Sequence, residues 1–216
     1  MKTSLALVLL LAGFAPAAAQ DCHDAPQDAQ QQAAAAPAPE PEKPETEKLG
    51  ALNVPDVPVI DQDGKAKNFY TDLVKDRVVA VNFVFTTCRT ICPPMGATFG
   101  KLQQVLGERA GKDVHLISVS VDPGTDTPER LKAWSQKFGA GQGWTLVTGD
   151  RAEITRLLKA LGVYTANIGD HSPLVLIGND ARRQWTRAYG LAAPAKLAEL
   201  IDGMAAPRSA AKGSQP

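Results

Sequence analysis

The chain has 216 residues, and its 23 Lys and Arg residues are balanced by 23 Asp and Glu residues. This balance argues against a general nucleic-acid binder, which carries an excess of basic residues. Three cysteines are too few for a small scaffold held together by disulfides, while a hydrophobic content of 44% is enough for a core. The composition therefore indicates a soluble globular domain with a few special thiols.

The first twenty residues have the pattern of a secretory signal peptide. Lys2 provides a short positive region, residues 5–16 form an apolar run without charge, and residues 17–19 offer a cleavage site of small side chains. The apolar run is too short to cross a bilayer of about 30 Å as a regular helix. We predict export to the bacterial periplasm and no membrane-spanning segment once residues 1–20 are cleaved. An uncleaved N-terminal anchor is the alternative.

The residues next to the signal peptide have the composition of a tether. Residues 21–49 consist mainly of Ala, Pro, Gln, Glu and Lys, which bury too little surface to offset the entropy of ordering. We predict a disordered tether there, a disordered tail at 206–216, and one folded domain at 50–205. Cys22 lies in the tether and is no geometrically fixed partner for another cysteine. Asp21 before it takes the place where a lipid-attachment signal needs a small residue.

Strand and helix patterns alternate along the predicted domain. Alternating polarity around a turn indicates a hairpin, and short apolar runs indicate strands. Capping residues or a proline ahead of an apolar stripe indicate where helices begin. The predicted elements are a hairpin at 54–68, strands at 78–85, 114–121, 144–147, 174–177 and 184–188, and helices that begin near Pro93, Thr127, Asp150 and Pro194. This order predicts an α/β domain with helices on both faces of a central sheet.

Two cysteines lie where reactive groups collect in such a domain. Cys88 and Cys92 are four residues apart, between the carboxyl end of a buried strand and the start of a helix. If the residues between them turn helically, the thiols share one face, close enough for a disulfide or one metal ion. The N–H groups of the helix N-terminus also stabilise a thiolate. A disulfide that only staples the loop is the alternative, and so short a loop gains little stability from it.

One histidine is a candidate partner for these thiols. His115 lies within a predicted strand and is expected to be structural, whereas His171 lies in a loop directly before an apolar strand. Such a loop can return to the turn that carries the cysteines. Two thiolates and one imidazole form a soft donor set that suits Cu(I). Spacing alone leaves this site open, because the contact between loop and turn is assumed.

Four segments together resemble the SCO/SenC family of thioredoxin-like assembly factors for cytochrome c oxidase. They are VVAVNFVF, TTCRTICPPM, VSVDPGTDTPERLKAW and GDHSPLVLIG, and the resemblance spans about residues 50–205. It implies a thioredoxin-like fold, with a central mixed sheet and an N-terminal hairpin, and one copper ion, Cu(I) or Cu(II), bound by Cys88, Cys92 and His171. Members are known as copper chaperones or thiol-disulfide reductants that help to build the dinuclear copper centre of oxidase subunit II.

The chain departs from the family pattern in three ways. Arg89 replaces the proline that usually follows the first cysteine, and the stretch after His171 is about one residue shorter, with Pro173 inserted. Members are also commonly tethered by a transmembrane helix, whereas this chain has the pattern of a cleaved, exported protein. These features are compatible with a subgroup that serves a different copper enzyme.

The resulting hypothesis is a periplasmic metallochaperone whose loading depends on redox state. Reduced Cys88 and Cys92 bind copper with neutral His171, their disulfide does not, and an upstream copper donor or thiol reductant is a further partner. Asp170 is a candidate acceptor for the imidazole N–H, with loop capping as its alternative role. Met95 lies on a helical stripe and is assigned to the core rather than to a transient copper contact.

The sequence is also compatible with two other functions. One is a thiol-disulfide oxidoreductase that reduces the cysteines of a copper-site client without carrying copper, although the spacing differs from the usual C-x-x-C. The other is a non-catalytic copper buffer or sensor. A peroxiredoxin is disfavoured, because it needs Thr three residues before the reactive cysteine and this chain has Phe85 there. The sequence therefore favours a metallochaperone over an enzyme, with thiol-disulfide oxidoreductase activity as the alternative.

Overall fold

The structure is a computed structural model that describes residues 45–205. The predicted signal peptide, residues 21–44 of the predicted tether with Cys22, and the predicted tail at 206–216 lie outside the described residues. Within 45–205, no helix is both long and apolar enough to cross a membrane.

The described chain contains eight strands and four α-helices. The strands are β1 (Thr46–Gly50), β2 (Pro58–Asp61), β3 (Ala66–Asn68), β4 (Val78–Val84), β5 (Val114–Ser120), β6 (Trp144–Thr148), β7 (Leu174–Asn179) and β8 (Gln184–Tyr189). The helices are α1 (Cys92–Leu106), α2 (Pro128–Gln136), α3 (Arg151–Ala160) and α4 (Pro194–Ala205). A π-helical turn at Phe69–Val74 and 3-10 turns at Gly107–Arg109 and Ile168–Asp170 complete the described elements.

All eight strands join one mixed sheet in the order β1-β8-β7-β4-β5-β6-β2-β3. The three central strands β4, β5 and β6 are parallel, whereas β7, β8 and β1 on one side and β2 and β3 on the other are paired antiparallel. Strands β2 and β3 form the predicted hairpin. The predicted α/β class with a central mixed sheet is confirmed.

Strand β1 lies mostly in the stretch that composition assigns to the tether. Thr46 pairs with Ala188 and Lys48 with Thr186 of β8, and the Tyr189 hydroxyl donates to a Glu47 carboxylate oxygen at 2.6 Å. The pairing gives backbone groups of this polar segment partners at the sheet edge. Local composition does not reveal this strand, because its partner lies about 140 residues away in the chain.

The side chains of β4 alternate between two cores. Val79, Val81 and Phe83 belong to the cluster that includes residues of α3, while Ala80 and Val84 belong to the cluster that includes residues of α1, α2 and α4. All five are at most 1% exposed. A strand buried on both faces matches the continuous apolar run in its sequence, and the predicted placement of helices on both faces of the sheet is confirmed.

Two helices begin at the capping residues that the sequence predicts. The Thr127 side chain accepts a hydrogen bond from Arg130 N at the start of α2, and Asp150 accepts from Ala152 N and Glu153 N at the start of α3. These caps satisfy N–H groups that would otherwise lack a partner at a helix start.

The first helix buries the predicted apolar stripe. Pro93 lies in its first turn, and Met95, Phe99, Leu102 and Leu106 are at most 4% exposed. The buried thioether of Met95 matches its assignment to the core.

The sheet topology brings two distant segments to one edge. Strand β4 ends at Val84 and runs into the turn that carries the cysteines. Strand β7 pairs antiparallel with β4, with Val175 opposite Asn82, so the beginning of β7 lies beside the end of β4. The loop before β7, which carries His171, therefore arrives at the edge where the cysteine turn begins.

Candidate metal centre

The turn between β4 and α1 holds the sulfur of Cys88 at the start of the helix. Cys88 N donates to Phe85 O at 3.2 Å, which closes the turn. Cys92 is the first residue of α1, and its N–H donates to Cys88 Sγ at 3.4 Å. The Thr90 hydroxyl oxygen lies 3.7 Å from the same sulfur. Cys88 is 9% exposed and Cys92 is fully buried, and both are free thiols.

These surroundings separate the acidities of the two thiols. Burial is the largest influence on Cys88 and raises its pKa, but hydrogen bonds from Cys92 and Thr90 outweigh it and lower the pKa from 9.0 to about 7. The pKa of Cys92 is raised from 9.0 to about 12, mainly by burial; the hydrogen bond and charge of Cys88 and the charge of Asp126 add to the rise, and a hydrogen bond with the Phe85 backbone opposes it. Near neutral pH, Cys88 is therefore the thiolate donor, and Cys92 must lose a proton when it binds a metal.

His171 is buried against the end of β4. It is 5% exposed, its Nε2 lies 3.1 Å from Phe83 O, and its ring meets the Phe83 ring edge to face with 6.2 Å between centroids. Burial lowers the pKa of His171, and the hydrogen bond to Phe83 opposes this only in part. The ring is therefore neutral near pH 7. Because a carbonyl can only accept, Nε2 carries the proton and Nδ1 carries the lone pair.

Cys88 and His171 line one cavity of about 270 Å³. Cys92 is absent from its lining and is fully buried, with its backbone N–H donating to the Cys88 sulfur. Across residues 45–205, no three His, Cys, Asp or Glu side chains are arranged as a metal-binding group. The structure thus brings Cys88 and His171 to one opening, with Cys92 in contact with Cys88 through its backbone N–H. The three-ligand site stays a prediction.

The residues next to the predicted ligands are exposed. Arg89 lines the same cavity and adds a positive charge to its lining. Asp170 is exposed at the end of the 3-10 turn, and the hydrogen bond of the His171 ring is with the backbone oxygen of Phe83. The role of Asp170 as an acceptor for the imidazole stays a prediction that this geometry does not support.

Sequence reasoning missed a polar cluster below the cysteine turn. Asp126 is 1% exposed and accepts hydrogen bonds from Thr86 N at 3.1 Å, Thr86 Oγ1 at 2.5 Å and Ser120 Oγ at 2.7 Å. Arg130 Nε in turn donates to Thr86 Oγ1 at 3.3 Å. The sequence signal for this cluster was an acidic residue within the segment DPGTDTP. The local pattern of that segment indicates the start of a helix and does not predict a contact with Thr86, which lies forty residues earlier.

Comparisons with known proteins agree with the resemblance seen in the sequence. The family model described as SCO1/SenC matches residues 54–205. The SCO1 protein homolog of Bacillus subtilis (strain 168) is 37% identical over 99 residues, which cover 45% of this chain and 51% of that protein. A protein of Stutzerimonas stutzeri whose name describes copper binding is 31% identical over 136 residues, 59% of this chain and 65% of its own. The chain thus spans between half and two thirds of these relatives.

Solved structures share the fold. One of them is the structure of BsSco, a member of the Sco family of cytochrome c oxidase assembly proteins in which a disulfide switch was identified. It matches this chain with a TM-score of 0.61 and 27% sequence identity. The match covers 74% of this chain and 96% of that one. The predicted thioredoxin-like fold is confirmed.

Proposed function

The chain belongs to the SCO1/SenC family, and on this premise we propose that it binds one copper ion through Cys88, Cys92 and His171 and delivers it to a copper enzyme. The observation that carries the proposal is the cavity that Cys88 and His171 line together, with the backbone N–H of Cys92 hydrogen-bonded to the Cys88 sulfur. The copper binding named for the Stutzerimonas stutzeri relative supports the cargo. The assembly role named for BsSco supports a client such as the dinuclear copper centre of cytochrome c oxidase subunit II.

The donor set fits copper chemically. Thiolate sulfur and imidazole nitrogen are soft donors, and two thiolates with one imidazole satisfy Cu(I) without oxygen ligands. Cys88 supplies a thiolate near neutral pH, while Cys92 releases its proton as the ion binds, so copper affinity falls as the pH drops. The low-coordinate cargo can then pass to a client by stepwise exchange of thiolate and imidazole ligands.

Redox state would control loading. Oxidation joins the two sulfurs in a disulfide and passes two electrons to an oxidant, with release of the Cys92 proton and of any proton still on Cys88, after which neither sulfur is a thiolate ligand. A thiol reductant must return the electrons before copper binds again. We propose that the protein acts in the periplasm, on the basis of its signal-peptide pattern, with three classes of partner: an upstream copper donor, a thiol reductant and a copper-enzyme client.

A copper titration tests this function. Reduced protein is titrated with Cu(I) against a chromophoric chelator, in parallel with Cys88→Ser, Cys92→Ser and His171→Ala. We expect one copper per chain in the parent and at least tenfold weaker binding in each variant. His115→Ala is the matched control, because this half-buried histidine lies in β5 and should leave affinity unchanged. Parent-like binding by His171→Ala would show that the three-ligand site is wrong.

A second candidate is a thiol-disulfide oxidoreductase, and the unequal thiols favour it. A reactive Cys88 with a pKa of about 7 next to a buried Cys92 with a pKa of about 12 is the asymmetry expected of a nucleophile and a resolving thiol. This function does not need His171. Rapid reduction of an insulin disulfide that is unchanged in His171→Ala, together with no copper binding, would select it over the chaperone.

A further inference from the structure

A buried carboxylate lies at the sheet edge below the cysteine turn. Asp126 is 1% exposed, and both of its oxygens accept hydrogen bonds from the backbone N–H of Thr86, while the hydroxyls of Thr86 and Ser120 each donate to one oxygen. Each of these neighbouring groups can donate to the carboxylate oxygens, which accept hydrogen bonds. Hydrogen bonds to a charged acceptor are shorter and stronger than those between neutral groups.

Thr86 connects this carboxylate to the reactive cysteine. Its N–H and its hydroxyl both donate to Asp126, and the hydroxyl oxygen also accepts from Arg130 Nε. Thr86 precedes Cys88 by two residues, within the turn that is closed by the bond from Cys88 N to Phe85 O. Fixing Thr86 therefore fixes the backbone from which the Cys88 sulfur projects.

The other contacts of Asp126 join that turn to the rigid part of the sheet. Ser120 ends β5 and lies opposite Val84 at the end of β4. Asp126 also directly precedes Thr127, the cap of α2. Asp126 thus connects the cysteine turn to the end of β5 through its carboxylate and to the start of α2 through the backbone.

We propose that Asp126 is a positioning residue for the copper site: through Thr86 it holds the Cys88 turn in place, without contacting the metal itself. The inference rests on the proposed copper binding for its functional meaning. A site held by its surroundings loses affinity when the support loosens, even if the ligands themselves are intact.

The test compares Asp126→Asn and Thr86→Val with two controls. Asp61→Asn is the matched control, since Asp61 is also a buried aspartate, 6% exposed, whose carboxylate accepts from Asp63 N and Lys65 N in the β2–β3 hairpin. Thr86→Ser retains the hydroxyl and should restore the parent's behaviour. Cu(I) affinity and the pH profile of Cys88 alkylation in metal-free protein are measured for each variant, and urea denaturation confirms that each is folded.

We expect Cu(I) affinity to fall at least tenfold in Asp126→Asn and at least threefold in Thr86→Val. The alkylation midpoint of Cys88 should move to higher pH in both, because a looser turn holds the sulfur less firmly against the N–H of Cys92. Asp61→Asn should lose stability but keep both parent values. The inference is overturned if Asp126→Asn and Thr86→Val behave like Asp61→Asn.

The two readouts separate this inference from the proposed function. If the parent binds no copper, the chaperone function fails, while the alkylation profiles still decide whether Asp126 positions Cys88. If Asp126→Asn does not fold, the comparison of Thr86→Val with Thr86→Ser decides the question alone: equal profiles refute the inference, and a shift confined to Thr86→Val supports it.

Discussion

The hydrogen bonds to the Cys88 sulfur lead to a quantitative prediction for its reactivity. Its pKa of about 7 means that about half of Cys88 is thiolate at pH 7, compared with about 1% for a thiol at the reference value of 9.0. Nucleophilicity decreases as the pKa falls, with a Brønsted slope of about 0.4–0.5, which removes roughly a factor of ten over two units. The net gain in rate at pH 7 is then only about fivefold, so the pH midpoint is the diagnostic quantity.

The assay is alkylation of reduced, metal-free protein by iodoacetamide from pH 5 to pH 10. Mass spectrometry of the separated peptides reports Cys88 and Cys92 individually. We expect a midpoint near pH 7 for Cys88 and negligible modification of buried Cys92 in the native protein below pH 9. A Cys88 midpoint near 9, or modification of Cys92 first, would refute the reasoning that the helix N-terminus holds the Cys88 thiolate.

The same shift has a consequence for stability with a defined sign. The pKa of Cys88 is lower in the folded protein than in the unfolded chain, so its contribution is present above pH 9 and is lost as the pH falls toward 7. Two pKa units correspond to about 3 kcal/mol of unfolding free energy. We expect urea denaturation between pH 7 and pH 9 to show this rise in the parent and its absence in Cys88→Ser. Above pH 9 the raised pKa of Cys92 acts in the opposite direction.

Three further predictions concern packing and burial within the domain. Asn82 is fully buried, and its amide has no hydrogen-bond partner within the described chain. Asn82→Val should therefore raise the free energy of unfolding, measured by urea denaturation, by about 1–3 kcal/mol. A lower free energy of unfolding in the variant would show that the amide is hydrogen-bonded in the native protein. A Cβ at Gly178 would lie 2.4 Å from Trp185 ring carbons, so Gly178→Ala should cost about 1–3 kcal/mol. No atom lies within 4 Å of a Cβ added at Gly203, so Gly203→Ala should be neutral or stabilising. Equal melting temperatures for the Gly178→Ala and Gly203→Ala variants would contradict the close contact between Gly178 and Trp185. Burial lowers the pKa of His171, so the unfolded chain takes up the proton first on acidification. The parent should therefore lose more stability than His171→Gln as the pH falls below about 6.5, and parallel pH profiles would contradict a buried, neutral ring.

Local chemistry made much of the fold readable. The continuous apolar run of β4 predicted a strand buried on both faces, because alternate side chains of one strand must enter two cores. Thr127 and Asp150 predicted helix starts because their side chains satisfy N–H groups only a few residues ahead. Such features act within one turn or one strand, so the order of the residues is enough to find them.

The arrangement of the site required contacts between distant segments. The spacing of Cys88 and Cys92 indicated a reactive pair, but whether His171 approaches it depends on the antiparallel pairing of β7 with β4. The hydrogen bond between the His171 ring and Phe83 O joins residues that are 88 positions apart in the chain, and the hydrogen bond between Thr86 and Asp126 joins residues that are 40 positions apart. No local pattern encodes such pairs.

The sequence alone therefore determined the class of the domain, the positions of most of its elements, and the three residues on which copper binding is proposed. The tertiary structure decided which thiol carries the charge, how the histidine is held, and which carboxylate supports the turn. The physical reason is that burial and hydrogen bonding set acidity and orientation, and both arise only when segments far apart in the chain pack together.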